Sequence, residues 1–521
     1  MKLKTRKNSI FHTLVASITE NRKKENRYEL LLLSIFLIAV FAVYAYISIS
    51  LHNKFMTFGL DLGYFDEVIW KISQFQFPYS GVGCIWMLED HFQPILYLLS
   101  PLYWVWNNVR VILLFQSFIM IFAAFPLFLL SRLITKNNFF SFCVVFAYLF
   151  FIGTQFAILN EFHQVTIAPL FIAIVYFSIQ SKKRFLYIFS IIGLLVIKED
   201  LSLLVASIGM GLLFYSGLRR WGVITLVTGI AMFVILIYFL MPALSIKGIY
   251  SHLDFGSMGM GPIGIIQSTI QNPIKTILSF VTPVIKLQTI FKSLVTFALI
   301  PLLSPIYILL PLLQDFIARF IYAGPQVTKW GLVNHHAATS SMLLAIASIY
   351  GAKRLYGILR LNMSTRKFYS LIGIILILTT VIIDVVNHGP IHSIFKPQFY
   401  RKEQWEKDVS EVLAHVPEHS SVAAQNNLLP HLTHRESIYR IPYGSNSEYM
   451  VVDLHDGPNK YAPLSYTEMS EFVADLIESK RYSIYFQKGD AMVLKRNYKT
   501  DITLSKYYND ARYCYYSFEE Q

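Results

Sequence analysis

Long apolar runs separated by short charged connections fill the chain as far as residue 387, and short alternating runs take over beyond it. A helix needs roughly 20 apolar residues to cross a hydrocarbon core about 30 Å thick. Stretches near that length lie at 28–49, 109–130, 139–159, 221–240 and 369–386, with a further one before Lys182. Shorter runs at 185–197, at 336–350 and ahead of Arg219 are bounded by charges that mark an interface. Residues 94–106, rich in Pro and Trp, are too short to cross and predict a helix lying at the membrane surface. The stretch 291–322 carries Pro301, Pro305 and Pro311, and reads as a tight pair of short spans turning at PLLSP. The pattern predicts an all-α polytopic membrane protein with about eleven crossings over residues 29–387.

Beyond His388 the period changes. Residues 403–415 and 467–480 have helical spacing, 421–424, 438–441 and 449–454 read as strands, and 482–487 with 491–495 form a hairpin turning at Lys488, Gly489 and Asp490. Residues 388–521 therefore predict a small α/β domain. They contain no glycine-rich phosphate loop, so nucleotide binding has no support.

Charge gives this path a direction. Lys2, Lys4, Arg6, Lys7, Arg22, Lys23, Lys24 and Arg27 make residues 1–28 a basic tail, and further clusters follow at Arg132 and Lys136, at Lys182, Lys183 and Arg184, at Arg219 and Arg220, and at Lys353, Arg354, Arg360, Arg366 and Lys367. The positive-inside rule puts all of them in the cytoplasm and the C-terminal domain outside, in a multi-pass protein of the cell membrane. A first loop at 53–108 and a glycine-rich loop at 242–290 then fall outside as well. Of the 521 residues, 55% are hydrophobic and 15% charged, and the net charge of +13 resides in these short connections, which excludes a nucleic-acid-binding face. Cys143 lies in an apolar run, whereas Cys84 and Cys514 both fall outside, where a bridge between them is open to them.

The same topology collects acidic groups on one side. The stretch FGLDLGYFDEVIW at 58–70 carries Asp61, Asp66 and Glu67, and later connections add Glu89, Asp90, His91, Glu161, His163, Glu199 and Asp200. Lys198, Arg319, His335 and His336 lie near the same boundary. A carboxylate partly withdrawn from water can act as a general base, Asp, Glu and His together can hold a divalent cation, and Lys or Arg can stabilise charge on a departing phosphate. Asp90, His91, Glu161, His163, Glu199 and Asp200 are the candidate metal ligands, and Glu67, Lys198, Arg319, His335 and His336 the candidate substrate contacts. Each has a plainer reading. Glu199 and Asp200 could cap the next span, Glu161 and His163 could be a solvated turn, and a His pair at a helix start is often interfacial.

The runs DLGYFDEVIW, EDHFQPILYLLSPLYW, NEFHQVTIAPL, VIKEDLSLLVA and VAAQNNLLPHLTHRESIY resemble the bacterial and archaeal membrane family catalogued as domain of unknown function 2079. That family in turn resembles the C-type glycosyltransferase superfamily. The resemblance implies a GT-C-like fold and an inverting transfer of sugar from a polyprenyl-phosphate donor, itself a membrane lipid, to an outer-face acceptor. An acidic residue of the first outer loop serves as base in that superfamily, and Asp61 matches its position. The superfamily's adjacent Asp-Glu pair is split here, because Leu62 follows Asp61 and the pair occurs later as Asp66 and Glu67. Asp61 and Asp66 therefore both stand as catalytic candidates. A transporter or flippase of a lipid-linked or small polar solute is the alternative, although such proteins usually carry their ionisable residues near the bilayer midplane.

Overall fold

The computed structural model describes residues 2–497 except 246, 247, 249, 251, 253, 325, 360–362, 445, 458 and 459, with side chains from residue 27 onward. Arg360, Cys514 and the last part of the C-terminal region, 498–521, lie outside the described residues, as do the side chains of the basic tail before Arg27. Cys84 is disulfide-bonded and Cys143 is free.

Among the described residues six helices are long and apolar enough to cross a membrane: Arg27–Asn53, Arg110–Thr135, Gln164–Ser181, Arg219–Leu244, Val327–Leu359 and Thr365–Val386. Two bent pairs, Asn138–Phe150 with Ile152–Leu159 and Pro273–Ser279 with Val284–Thr296, raise the number to eight if each pair is one span. The other expected crossings are helices of 12, 13 and 15 residues, Arg184–Leu195, Leu201–Leu213 and Ile306–Phe320. At 1.5 Å per residue these reach only about 18–23 Å. The helix Ala338–Leu359 is the hub, with every side chain from Ala338 to Ala352 buried. Small residues permit this, since a Cβ on Gly351 would lie 2.2 Å from the carbonyl oxygen of Ile300. Arg219–Leu244 is the opposite case. Its apolar window is only 22% buried, so its side chains face outward as lipid contact requires.

The surface helix expected at 94–106 consists of two short pieces, Pro94–Leu98 and Leu102–Val105, with Leu98, Trp104, Val105 and Trp106 exposed. The segment 242–290 differs from the expected loop. It folds into helices Gly261–Gln271 and Pro273–Ser279 and the start of Val284–Thr296, with Ile263, Ile266, Ile270, Ile274 and Ile277 all exposed. Pro262 and Pro273 sit at helix starts, where a missing N–H costs nothing, so they begin these helices.

Strands β1 (Tyr79–Ser80) and β2 (Ile85–Trp86) form a small antiparallel ladder in the first loop. The C-terminal sheet contains β3 (Val422–Ala424), β4 (Ile438–Arg440), β5 (Tyr449–Asp453), β6 (Tyr482–Lys488) and β7 (Ala491–Arg496) in the order β4-β3-β5-β7-β6. β3 is parallel to both β4 and β5, whereas β7 runs antiparallel to β5 and β6. The period-two pattern builds both faces. Val422, Ala424, Val451 and Val493 pack on Val409 and Val412 of the helix Gln404–Ala414, while Ala423, Met450, Val452 and Leu494 pack on Met469 and Phe472 of Tyr466–Glu478.

This layer is joined to the first loop. Phe55 and Val82 belong to its core, the Asn426 side chain accepts from the Gly59 amide at 3.0 Å, and Lys54 pairs with Glu406 at 3.4 Å. A Cβ on Gly81 would meet the Ile438 carbonyl oxygen at 2.1 Å, so only glycine permits this approach of loop to strand.

Candidate functional site

Residues 58–70 do not form one regular helix. Gly59–Gly63 is a π-helical turn that leads into the helix Tyr64–Ser73. Asp61 lies in that turn and Asp66 and Glu67 in the first turn of the helix. The turn is held by Asn426 on Gly59 and by Glu161, whose Oε2 accepts from the Leu62 amide at 2.9 Å.

Asp61 keeps an accessible side chain, 38% exposed, with its Oδ1 3.2 Å from Nε2 of His163. The His163 ring stacks on His335 at 3.3 Å between centroids, and His335 lies against His336 at 4.2 Å. Gln116 joins this group to the second span, donating to the carbonyl of Glu161 and accepting from the amide of His163. Burial, and then the nearby Asp61 charge, push the Glu161 carboxyl well above its ordinary value, against the pull of the Leu62 and Phe58 amides. Glu161 is therefore the carboxyl of this group whose charge the surroundings disfavour.

Asp66 and Glu67 have the opposite environment. Both are fully buried. Asp66 accepts from the hydroxyls of Tyr103 and Thr433 and lies 3.1 Å from Nε2 of His434. Glu67 accepts from Lys71 Nζ at 2.7 Å, the Ser80 hydroxyl at 2.6 Å, and the amides of Gly81 and Val82 at 2.9 and 3.1 Å. These carboxylates fasten the loop to the C-terminal layer and to its own strand ladder.

A second group stands beside Asp61. His91 Nδ1 is 2.9 Å from Glu199 Oε1 and 3.2 Å from the Tyr250 hydroxyl, which itself donates to Glu199. The Phe92 amide donates to the other Glu199 oxygen at 3.0 Å. Asp90 pairs with His252 at 2.9 Å, and the His91 and His252 rings stack at 4.3 Å. Burial opposes the Asp90 charge, yet His91 and His252 outweigh it and hold that carboxyl well below the ordinary range. Burial lowers the His91 imidazole, opposed by Asp90 and reinforced by Lys198, His252 and His163, so this group and the Asp61 group lie within electrostatic reach of each other. Lys198 pairs loosely with Asp200 at 3.9 Å. Asp200 is 57% exposed, yet the surrounding protein, and then Glu199, raise its carboxyl against the pull of Lys198. Lys329 lies in reach of both.

A family described as a predicted membrane protein (DUF2079) has a model that matches residues 51–490. The chain belongs to the DUF2079 family. Comparison with curated proteins found no match. The DUF2079 match runs from the end of the first span to the turn of the last hairpin, and so includes both groups and the layer that positions them.

Within this DUF2079 protein the candidate residues divide. Asp61, Glu161, His163, His335 and His336 come together, as do Asp90, His91 and Glu199, with Lys198 and Asp200 beside them. Glu89 is buried, with the Ser245 hydroxyl at 3.3 Å. Arg319 donates through Nε and Nη2 to the carbonyls of Lys329 and Gly331, so it braces the loop that carries Lys329. Asp90, His91 and His252 each offer a ligand atom within 4.8 Å of the others, and a carboxylate with two imidazoles suits a transition-type divalent cation. Glu199 stands where a supporting carboxylate orients a ligand histidine. His252, Tyr250 and Lys329 escaped sequence reasoning. His252 had a signal, since IYSHLD puts a histidine in a polar gap on the acidic side, but Tyr250 and Lys329 had none.

Proposed function

We propose that this protein is a membrane glycosyltransferase that moves a sugar from a polyprenyl-phosphate donor to an acceptor on the outer face. The observation that carries the reading is the placement of Asp61, an accessible carboxylate 3.2 Å from His163 in a turn that the buried Glu161 holds through the Leu62 amide. Asp61 is the general base, deprotonating the acceptor hydroxyl or amine as it attacks the sugar. Lys198 and Lys329 face the phosphate as it departs and offset its growing charge. Asp90, His91 and His252 could hold a divalent cation, which would supply further positive charge there. The lipid tail of the donor lies along the spans. In this reading the chain crosses about eleven times, with the short helices Arg184–Leu195, Leu201–Leu213 and Ile306–Phe320 crossing where polar loops enter the membrane region. The N-terminus is cytoplasmic, and the C-terminal layer built on β3 to β7 covers the site from outside.

The test is a transfer assay with purified wild type, Asp61→Asn and Asp66→Asn on polyprenyl-phosphate sugars. Wild type should release the sugar, and Asp61→Asn should not. Full release by Asp61→Asn would remove the base. Movement of intact donor across a vesicle membrane without cleavage would identify a flippase instead.

A further inference from the structure

The ends of the first two spans that meet the C-terminal layer enclose a recess of about 160 Å³ that the transferase reading does not use. At about 30 Å³ per water, it has room for a tetrahedral oxyanion. Its walls come from three separate parts of the chain: His52 from the first span, Arg110 from the start of the second, and His431, Thr433, His434 and Arg435 from the loop between β3 and β4. Among the described residues no carboxylate lines it. Asp66 stands behind the wall, 3.1 Å from His434.

The two arginines carry the charge of the recess. Among the described residues neither forms an ion pair. Arg110 donates to the side-chain oxygens of Asn108 at 3.1 Å and Asn53 at 2.5 Å, and Arg435 to the carbonyls of Leu432, Pro417 and Ser420 at 2.8, 3.0 and 3.3 Å. These neutral acceptors fix both guanidinium planes and leave Nε of Arg110 and Nη2 of Arg435 without a hydrogen bond among the described residues. A guanidinium has five donors in a rigid fork suited to phosphate. In the same wall His52 and His431 stack at 4.1 Å. His52 is fully buried and its Nδ1 meets the Thr57 hydroxyl at 3.0 Å, while among the described residues neither its Nε2 nor His431 Nε2 has a hydrogen-bond partner. Burial, with Arg110 adding to it, pulls the His431 imidazole down to about 3, so that ring stays neutral and the two guanidinium groups give the recess its positive charge.

The depth of the recess points to a ligand source. Exposed Trp104, Val105 and Trp106 lie just before Arg110, and such a belt marks the headgroup level. We propose that this recess binds a phosphate-type oxyanion through Arg110 and Arg435, with Nε2 of His52, whose Nδ1 accepts from the Thr57 hydroxyl, as a further N–H donor. The phosphate is that of an anionic lipid headgroup or a free inorganic one. The site is separate from Asp61, which faces His163, whereas Asp66 faces His434 and Thr433.

Full-length protein would be tested in two arms. In lipid nanodiscs with and without phosphatidylglycerol, native mass spectrometry should find one retained phosphatidylglycerol. In lipid-depleted detergent, inorganic phosphate should raise the melting temperature saturably beyond a chloride control of equal ionic strength. Retention in the first arm alone identifies the lipid, and a response in the second identifies free phosphate as a ligand. Arg110→Gln and Arg435→Gln should each weaken whichever response occurs by about tenfold, since each removes a charged hydrogen-bond donor. Arg435→Gln lies outside the spans and keeps the test valid if Arg110→Gln fails to fold. Asp61→Asn should bind as wild type does even if transfer is abolished, so the two readings fail separately. Absence of both responses in wild type, or responses unchanged in the folded arginine variants, would overturn the site.

Discussion

Two regions of one short segment present the same side-chain chemistry in opposite states. At Asp61 the carboxylate is 38% exposed and meets one imidazole, next to a Glu161 whose charge is suppressed. At Asp66 and Glu67, only five and six positions on, the carboxylates are fully buried and surrounded by donors. Each oxygen of Glu67 accepts two hydrogen bonds, and those of Asp66 take hydroxyls from Tyr103 and Thr433. A carboxylate in that condition is held in place by its donors, and its oxygens are already committed to the fold. The open one has room for a substrate to reach it. Partner number, more than residue type, separates a reactive acid from a structural one here.

The largest effect should come from breaking the comparison at its open end. Asp61→Asn is expected to lower transfer from a polyprenyl-phosphate sugar by about 10²–10⁴-fold, the range for loss of a general base. Its melting temperature should stay close to that of wild type, since Asp61 makes one polar contact. A stability loss matching the activity loss would place Asp61 with the structural carboxylates.

The next effect lies at the closed end and should appear as stability. Glu67→Ala leaves Lys71 and the Gly81 and Val82 amides facing a void, which should cost about 3–5 kcal/mol. Asp66→Asn offers one acceptor where two hydroxyls and an imidazole converge, for about 1–3 kcal/mol. Denaturation in detergent measures both. The surviving folded fraction of each variant should turn over at the wild-type rate, which the Asp61 variant would not.

This asymmetry was not legible in the sequence, although the elements around it were. Strands β3 to β7 follow directly from alternation, as in Tyr449–Asp453, and the main spans follow from unbroken apolar length. The one-sided placement of Asp61, Asp90, Glu161 and Glu199 followed from charge alone. What distinguishes Asp61 from Asp66 is Thr433 and His434, which lie 367 positions from Asp66 in the case of Thr433 and reach it only because the C-terminal layer docks. No local pattern carries that. The helices in 242–290 could have been read, because Ile263, Ile266, Ile270, Ile274 and Ile277 recur at helical spacing. The glycines and prolines among them drew the reading to a loop.

Docking itself can be weakened without touching a carboxylate. Gly81→Ala should force β1 and its turn away from the Ile438 carbonyl, since the new Cβ would lie 2.1 Å from that oxygen. The cost should be about 1–3 kcal/mol. If docking is what keeps Asp66 dry, protease cleavage between the layer and the spans should rise in this variant.

The smallest effect is a pH dependence that sharpens the open end. The folded Glu161 carboxyl lies above its unfolded value because of burial and Asp61, so its contribution to stability is complete below the unfolded value and declines as pH rises toward the folded one. Asp90 runs the other way, with a lowered carboxyl whose contribution is complete above the unfolded value and is lost only in acid. Between pH 5 and 8 the Asp90 contribution is therefore flat and the Glu161 contribution falls. Glu161→Gln copies the protonated form and removes that titration. Melting curves across this window should fall with pH more steeply for wild type than for Glu161→Gln. Equal slopes would mean that burial and Asp61 do not hold the Glu161 carboxyl above its ordinary value.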